Sequence, residues 1–287
     1  MATDRPGPPV GSHVDVAGRL ASQGLAYADG IGAEAIQVFV SNPRSWSPPL
    51  AEVTEAQALA RRAAEAGLPV FVHAPYLVNL GSGDERTAAL SAETVGLTLD
   101  RAARIGARGV VVHAGSASGW DREDALRQVA DLLLPLLDKL SEEDPGLLIE
   151  PMAGAGQGLC AQMSDLEPYL AALGWHPRAG VCLDTCHAFA AGHDLVAPGG
   201  ADATLAELAR AAGPGRVRLV HANDSGYPCG SRRDRHAAIG AGFIGLEPFR
   251  ALLHHPLLAA APFVVETPKA GQAVDVATLK ELRQMPA

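Results

Sequence analysis

The stretch LVHANDSGYPCGSRRDRH, residues 219–236, decides the fold because it joins a strand to a group of polar side chains. The alternating apolar pattern over residues 217–222 predicts a β-strand that ends at His221. A loop rich in Gly, Pro, Ser and Arg then leads to Asp234 and His236. In an extended Asp-x-His segment both side chains face the same side, so these two and His221 are expected to converge on a metal ion. The alternative is a surface loop that carries an Asp and a His by chance.

Outward from this stretch, strands and helices alternate along the whole chain. Strands are predicted at residues 12–16, 35–40, 70–74, 109–114, 147–151, 180–185, 217–222 and 263–267, and helices at residues 52–66, 85–105, 122–140 and 165–173. Eight strands alternating with helices favour a single-domain α/β fold, the (β/α)₈ TIM barrel, over residues 11–287. A doubly wound open sheet is the competing fold, but no G-x-G-x-x-G follows the first strand. Residues 1–10 are predicted to be a flexible tail.

Composition narrows the class of protein. The chain has 287 residues and is 48% hydrophobic, which is enough for one large barrel core. Its formal net charge of −9 argues against a protein that coats nucleic acid through charge alone. Four cysteines do not make a disulfide framework in a chain of this length, which favours a cytoplasmic location. No apolar run approaches the roughly 18 residues that a membrane helix needs.

Charged and imidazole side chains occur at the carboxyl ends of the predicted strands and in the loops after them. In a barrel the carboxyl ends of all strands meet at one face, where active sites lie. Nine such residues are expected there, six at strand ends and three in the following loops: His73, His113, Glu150, Asp184, His221 and Glu266, then His187, Asp234 and His236. Buried strand ends often carry one hydrogen-bonded polar residue, which explains one or two of these positions. It explains nine poorly, because unpaired buried carboxylates are costly. His13, on strand one, either packs behind this set or is an ordinary barrel histidine.

The types of these side chains indicate which metal they bind. Five imidazoles and four carboxylates suit Zn²⁺, with Mn²⁺ or Fe²⁺ as alternatives, whereas Mg²⁺ and Ca²⁺ sites use oxygen donors. Nine donors exceed what one four-coordinate ion takes, and with a bridging carboxylate they serve three ions. Clustered ions that activate water are typical of phosphate ester hydrolysis.

Longer motifs in the chain resemble a known family. GVCLDTCHAFAAGHD (residues 180–194) and HANDSGYPCGSRRDRH (residues 221–236) carry most of the resemblance. Strand-end segments add to it: FVHAPYLVNLGS, VVHAGS and IEPMAGAGQG. The chain is similar to endonuclease IV, the zinc-dependent apurinic/apyrimidinic endonuclease of base excision repair, from about residue 11 to the C-terminus. The resemblance implies a barrel of the xylose-isomerase-like type.

The resemblance also implies three zinc ions, held by three groups of ligands that share one carboxylate. These groups are His73, His113 and Glu150; Glu150, Asp184, His221 and Glu266; and His187, Asp234 and His236. Glu150 bridges two ions in this arrangement and is the predicted catalytic residue.

The implied substrate is double-stranded DNA that contains an abasic site. The resemblance places Arg44, Tyr76 and Leu77 on loops that press into the DNA. It implies hydrolysis of the phosphodiester bond 5′ to the lesion, which leaves a 3′-hydroxyl and a 5′-deoxyribose phosphate, and a 3′-repair diesterase activity is a further option. A monomer would suffice for this reaction. One alternative is a metal-dependent sugar isomerase or epimerase on the same barrel, and another is a metal-stabilised protein that binds damaged DNA without cutting it.

Overall fold

Eight parallel strands close into a barrel in the computed structural model, which describes residues 7–14, 19–46 and 53–286. They are β1 Val10–His13, β2 Ile36–Val38, β3 Val70–His73, β4 Gly109–His113, β5 Gly146–Glu150, β6 Ala179–Asp184, β7 Val217–His221 and β10 Phe263–Val265. Between β7 and β10, the short strands β8 (Asp224–Ser225) and β9 (His236–Ala237) form a separate antiparallel ribbon. The sequence-based prediction of a single-domain (β/α)₈ TIM barrel is therefore confirmed.

Helices connect successive strands around the outside of the barrel. They are α1 Leu25–Gly30, α2 Val53–Ala66, α3 Glu85–Arg104, α4 Arg122–Leu137, α5 Leu166–Ala172, α6 Thr185–Ala191, α7 Gly200–Ala212, α8 Leu246–His254 and α9 Gln272–Gln284. Local sequence explains where several of them begin. Asp84, for example, accepts a hydrogen bond of 2.9 Å from the backbone N–H of Thr87 and so caps α3. Arg101 and Arg104 lie in the last turn of α3, where a positive charge favours the helix dipole.

The barrel interior is built in layers. Seven buried side chains, none more than 2% exposed, form an apolar floor: Ala35, Phe71, Val111, Leu148, Cys182, Leu219 and Val264. Successive strand residues face opposite sides, so the residue two positions after each floor residue points inward again, one layer higher. That upper layer consists of polar residues: Gln37, His73, His113, Glu150, Asp184, His221 and Glu266. The strand register places His113 beside Glu150 and Asp184 beside His221.

The structure corrects some sequence-based boundaries. Val10 was predicted to belong to the flexible tail, but it begins β1, is fully buried and is paired with Phe263. The barrel therefore starts before residue 11, while residues 1–6 of the predicted tail lie outside the described residues. The end of the predicted strand 12–16 and the first residue of the predicted helix 52–66 also lie outside them. None of the described helices is long and apolar enough to span a membrane.

Candidate metal centre

A cavity of about 320 Å³ opens at the carboxyl-terminal mouth of the barrel. Its lining combines strand-end residues with residues from the following connections: His73, Tyr76, His113, Glu150, His187, Asp234, His236 and Glu266. All but Tyr76 belong to the predicted ligand set, and the two remaining members, Asp184 and His221, lie buried directly behind the cavity wall in contact with it.

The first group of donors surrounds one oxygen of Glu150. His73 Nε2 lies 3.2 Å and His113 Nε2 lies 3.6 Å from Glu150 Oε2. His73 Nδ1 donates to the carbonyl oxygen of Ala74 at 2.6 Å, which leaves Nε2 of this ring to face the cavity. Burial lowers the pKa of His113 to about 4 despite the nearby charge of Glu150, so this ring keeps a nitrogen lone pair at neutral pH.

The second group brings three carboxylates around His221. Its Nδ1 lies 3.0 Å from Glu150 Oε1, 3.3 Å from Glu266 Oε2 and 3.9 Å from Asp184 Oδ2. Burial alone would raise the pKa of Glu150, but the His221 and His113 rings hold it well below its usual value. Three converging carboxylates repel each other in a buried space, and a bound cation would remove that repulsion.

An asparagine supports two of these carboxylates from behind. Asn223 Nδ2 donates to Asp184 Oδ2 at 2.7 Å and to Glu266 Oε2 at 3.1 Å. Its Oδ1 accepts a hydrogen bond of 2.8 Å from the backbone N–H of Glu266. Asn223 is fully buried and therefore holds both carboxylates in one orientation.

The third group is centred on Asp234. His187 Nε2 lies 3.2 Å from Asp234 Oδ2, and His236 Nε2 lies 3.1 Å from Asp234 Oδ1. His187 Nδ1 donates to the carbonyl oxygen of Pro151 at 3.0 Å, so Nε2 of this ring faces the group. Burial would raise the pKa of Asp234, but the His187 and His236 rings, which face its two oxygens, lower it far below its usual value.

The members of the third group are positioned by contacts outside the barrel sheet. His187 was expected in a loop, but it lies in the first turn of α6, because Asp184 caps that helix by accepting the His187 backbone N–H at 2.8 Å. His236 lies in the ribbon, paired with Ser225. The segment after the ribbon is fixed by the buried carboxylate of Asp224. This carboxylate accepts backbone N–H groups at 2.8–3.2 Å from Gly240, Gly242, Ile244 and Gly245.

The donor chemistry fits a cluster of zinc ions. Within each of the three groups, one donor atom per residue lies within 4.8 Å of every other. His73 and His187 each donate from Nδ1 to a backbone carbonyl and turn Nε2 toward the donors, a pattern usual for metal-binding histidines. His236 Nε2 is buried, faces Asp234 and makes no hydrogen bond of normal geometry. A cation between these atoms would satisfy all of them.

Asp184, Cys186 and His236 form a further cluster that shares residues with these groups. Burial and the charge of Asp184 raise the pKa of Cys186 to about 12. Its Sγ lies 3.6 Å from the carbonyl oxygen of Arg235, to which it donates. A neutral thiol that donates to a carbonyl is a packing residue, and a thiolate ligand is not needed here.

Of the residues predicted to touch DNA, Tyr76 lines the cavity. Arg44 is exposed on the loop after β2, and Tyr76 and Leu77, after β3, are 50% and 37% exposed. The two loops are linked, because the Tyr76 backbone N–H donates to the Pro43 carbonyl at 3.0 Å. The Tyr76 ring also packs 6.0 Å from the His113 ring, centroid to centroid, so it belongs to both the cavity wall and the surface.

Sequence reasoning missed Gln37 and Asn223, which contact the predicted ligands directly. His13, left open between two interpretations, lies behind the centre. Its Nδ1 is 2.9 Å from Gln37 Nε2 and 3.7 Å from Glu266 Oε1. The two-residue spacing from the apolar floor would have identified Gln37, since it follows Ala35 by two positions as His73 follows Phe71.

The fold and the centre together define a class, a xylose isomerase-like TIM barrel with a candidate cluster of metal ions. Residues 25–285 match the family described as xylose isomerase-like TIM barrel. The chain is 52% identical over 279 residues to a protein of Streptomyces coelicolor named "Probable endonuclease 4", covering 96% of this chain and 95% of that protein. A protein of Nitratidesulfovibrio vulgaris with the same name is 37% identical, covering 97% and 99%.

Comparison with solved structures indicates the same family as comparison with these relatives. The crystal structure of endonuclease IV from Thermus thermophilus superposes with a TM-score of 0.83 at 34% identity, covering 96% of this chain and 98% of that one. Within its class, this chain belongs to the endonuclease IV family and is a hydrolase that cuts nucleic acid. A D-tagatose 3-epimerase-like protein shares the fold with a TM-score of 0.70 but only 18% identity, so the sugar isomerase alternative has less support.

Proposed function

We propose that this endonuclease is a zinc-dependent apurinic/apyrimidinic endonuclease of base excision repair. Hydrolysis adds water across the phosphodiester bond 5′ to an abasic site and leaves a 3′-hydroxyl and a 5′-deoxyribose phosphate. One observation carries the proposal: three groups of nitrogen and oxygen donors share Glu150 around a single open cavity. The similarity to endonuclease IV supports the same interpretation.

The proposed cofactor is a cluster of three zinc ions, with Mn²⁺ or Fe²⁺ as substitutes. His73, His113 and Glu150 would hold one ion. Glu150, Asp184, His221 and Glu266 would hold the second, and His187, Asp234 and His236 the third. Such a cluster, when bound, supplies Lewis acidity toward phosphate oxygens and lowers the pKa of bound water.

The side chains of the chain itself prepare the site for a phosphate group. Glu150 stays ionised at neutral pH because the rings around it lower its pKa, and both of its oxygens face histidines. Burial and the charges of Glu266 and Glu150 raise the pKa of Tyr76 to about 12, so its hydroxyl remains a hydrogen-bond donor. We propose that this hydroxyl contacts the DNA backbone at the rim of the cavity.

Arg44, Tyr76 and Leu77 are proposed to recognise the lesion. Their loops stand beside the cavity and are joined by the backbone hydrogen bond between Tyr76 and Pro43. An abasic nucleotide has no base to unstack, so it leaves the helix at a lower cost than a normal nucleotide. Bending DNA by this kind of contact costs roughly 1–6 kcal/mol, which is easiest to offset where the lesion softens the duplex.

We further propose that the enzyme acts in the cytoplasm and as a monomer. All four of its cysteines are free, as a reducing compartment favours. The three donor groups come from one chain, so the centre is complete without a second copy.

Cleavage of a defined duplex tests the proposal. A labelled duplex with one abasic site should be cut once, 5′ to the lesion, leaving a 3′ end that a polymerase extends directly. The same duplex with an intact nucleotide at that position should stay whole. Retarded migration without cutting would support a damage-binding protein, and no interaction with either duplex would favour a sugar-modifying enzyme.

A further inference from the structure

Gln37 occupies the β2 position in the polar ring that carries the proposed zinc ligands. It is fully buried, and its amide contacts three groups at once. Nε2 lies 2.7 Å from Glu266 Oε1 and 2.9 Å from His13 Nδ1, and Oε1 lies 2.8 Å from His221 Nε2. No ligand role is needed for Gln37, because each proposed ion already has its donors.

The carboxylate of Glu266 fixes which way the Gln37 amide points. An ionised carboxylate only accepts hydrogen bonds, so the amide nitrogen must face it. The other oxygen of Glu266, Oε2, also faces a donor, because Asn223 Nδ2 lies 3.1 Å from it, and a carboxylate that binds metal is deprotonated. The reversed amide would place two oxygens 2.7 Å apart. With the nitrogen toward Glu266, the amide oxygen necessarily faces His221.

The orientation of the amide then fixes the His221 ring. The Gln37 oxygen only accepts, so His221 Nε2 must carry a hydrogen and donate it. In the neutral ring the lone pair is therefore on Nδ1, which faces the carboxylates of Glu150 and Glu266. The other tautomer would place a hydrogen on Nδ1 and block the nitrogen that the second ion requires.

We propose that Gln37 is a positioning residue that holds His221 in the tautomer able to bind metal through Nδ1, and holds Glu266 beside it. This inference rests on the proposed zinc centre and adds to it a chain of contacts from Glu266 through Gln37 to His221. Groups behind metal ligands commonly change metal affinity by about 10–100-fold when they are removed.

Zinc binding by two matched variants tests this role. Gln37→Met keeps the length of the side chain and removes both hydrogen-bonding functions. Gln128→Met is the control, because the Gln128 amide also donates two hydrogen bonds of 2.8 Å, to the carbonyls of Leu80 and Ser82, away from the centre. Metal-free protein is titrated with zinc against a chelating indicator. We expect one class of sites to weaken by about 10–100-fold in Gln37→Met only.

Nitrogen NMR of the zinc-loaded parent, with labelled histidine, provides a second test that requires no stable Gln37 variant. The His221 signal, identified by its loss in His221→Asn, should show a hydrogen on Nε2 and metal on Nδ1. A hydrogen on Nδ1, or equal zinc affinity in Gln37→Met and Gln128→Met, would overturn the inference. Normal zinc binding without cleavage of abasic DNA would instead count against the proposed function alone.

Discussion

The proposed ligands divide into those on barrel strands and those on the connections that follow them. The strand-borne side chains of His73, Glu150 and His221 are at most 3% exposed and that of His113 is 19% exposed. Those of His187, His236 and Asp234 are 6%, 21% and 51% exposed. Barrel register alone places the first set. The second set depends on a helix cap, a two-residue ribbon and the carboxylate of Asp224. The third ion should therefore be removable without disturbing the barrel, and the first two should not.

Glu150→Ala should have the largest effect, because Glu150 lies within 3.6 Å of ligands from all three groups. We expect metal content to fall by about two ions and the cleavage rate to fall by at least about 10³-fold. This loss of rate is larger than the loss usually seen when one electrostatic contact is removed. Unfolding free energy should fall by about 3–5 kcal/mol, the scale for breaking a buried charged pair. Glu167→Gln, on the exposed side of α5, is the control. Loss of one ion or fewer would show that Glu150 does not bridge.

His187→Ala and His236→Ala should each remove one ion and leave the strand-borne pair in place. Both rings contact Asp234, so either change leaves its ion with an incomplete set of ligands. We expect cleavage to fall by about 10²-fold or more, and thermal stability to fall less than in Glu150→Ala. The double variant is decisive, because two ligands of one ion act as a unit and their losses should not add.

The matched control for these variants is His176→Ala. This ring also lies near a carboxylate, 3.5 Å from Asp138, but far from the mouth. Fully additive losses of rate in the double variant, or unchanged metal content, would contradict the assignment of His187 and His236 to one ion.

Arg44→Ala and Tyr76→Phe should weaken binding of abasic duplex by about tenfold while metal content stays unchanged. Tyr76→Phe is preferred to Tyr76→Ala because the ring packs against His73 and His113. Arg44→Ala should also reduce the slope of log affinity against log salt concentration by about 1, the amount expected when one phosphate contact is lost. Arg61→Ala, an exposed arginine on α2, is the control. Binding equal to the parent in both variants would place recognition on another surface.

Lys269→Ala should have the smallest effect, with cleavage and metal content unchanged. Lys269 follows Glu266, which lies directly after β10, but its ammonium lies 4.6 Å from the centroid of the Tyr27 ring and is held there. A lyase would need an amine that forms a Schiff base with the opened sugar. Borohydride should therefore trap no protein–DNA adduct, and an adduct that disappears in Lys269→Ala would overturn the hydrolytic assignment.

Most of the fold and most of the candidate metal centre could be predicted from the sequence. Alternation along strands such as residues 109–114 reveals both the apolar floor and the polar layer two residues later, so His113 and Glu150 were predictable from spacing. The ribbon formed by β8 and β9 was not predictable, because two-residue strands carry no periodic pattern. His187 was placed in a loop because Asp184 was considered only as a ligand, not as a helix cap.

Two other features depend on three-dimensional contacts that a strand pattern does not encode. The strand spacing would place Gln37 in the polar layer, but Gln is not a usual metal ligand, and its role comes from neighbours distant in sequence, His221 and Glu266. The DNA contacts of Arg44 and Tyr76 stay predictions, because an exposed side chain acquires its role only from a partner.

Elemental analysis of protein purified without chelator tests the shared centre most directly. Nine converging donors in three groups predict about three transition-metal ions per chain, mostly zinc. Removal of His187 should lower that number by about one, and removal of Glu150 by about two. A ratio of one ion or fewer per chain, in protein that cleaves abasic duplex at full rate, would contradict the three-ion centre.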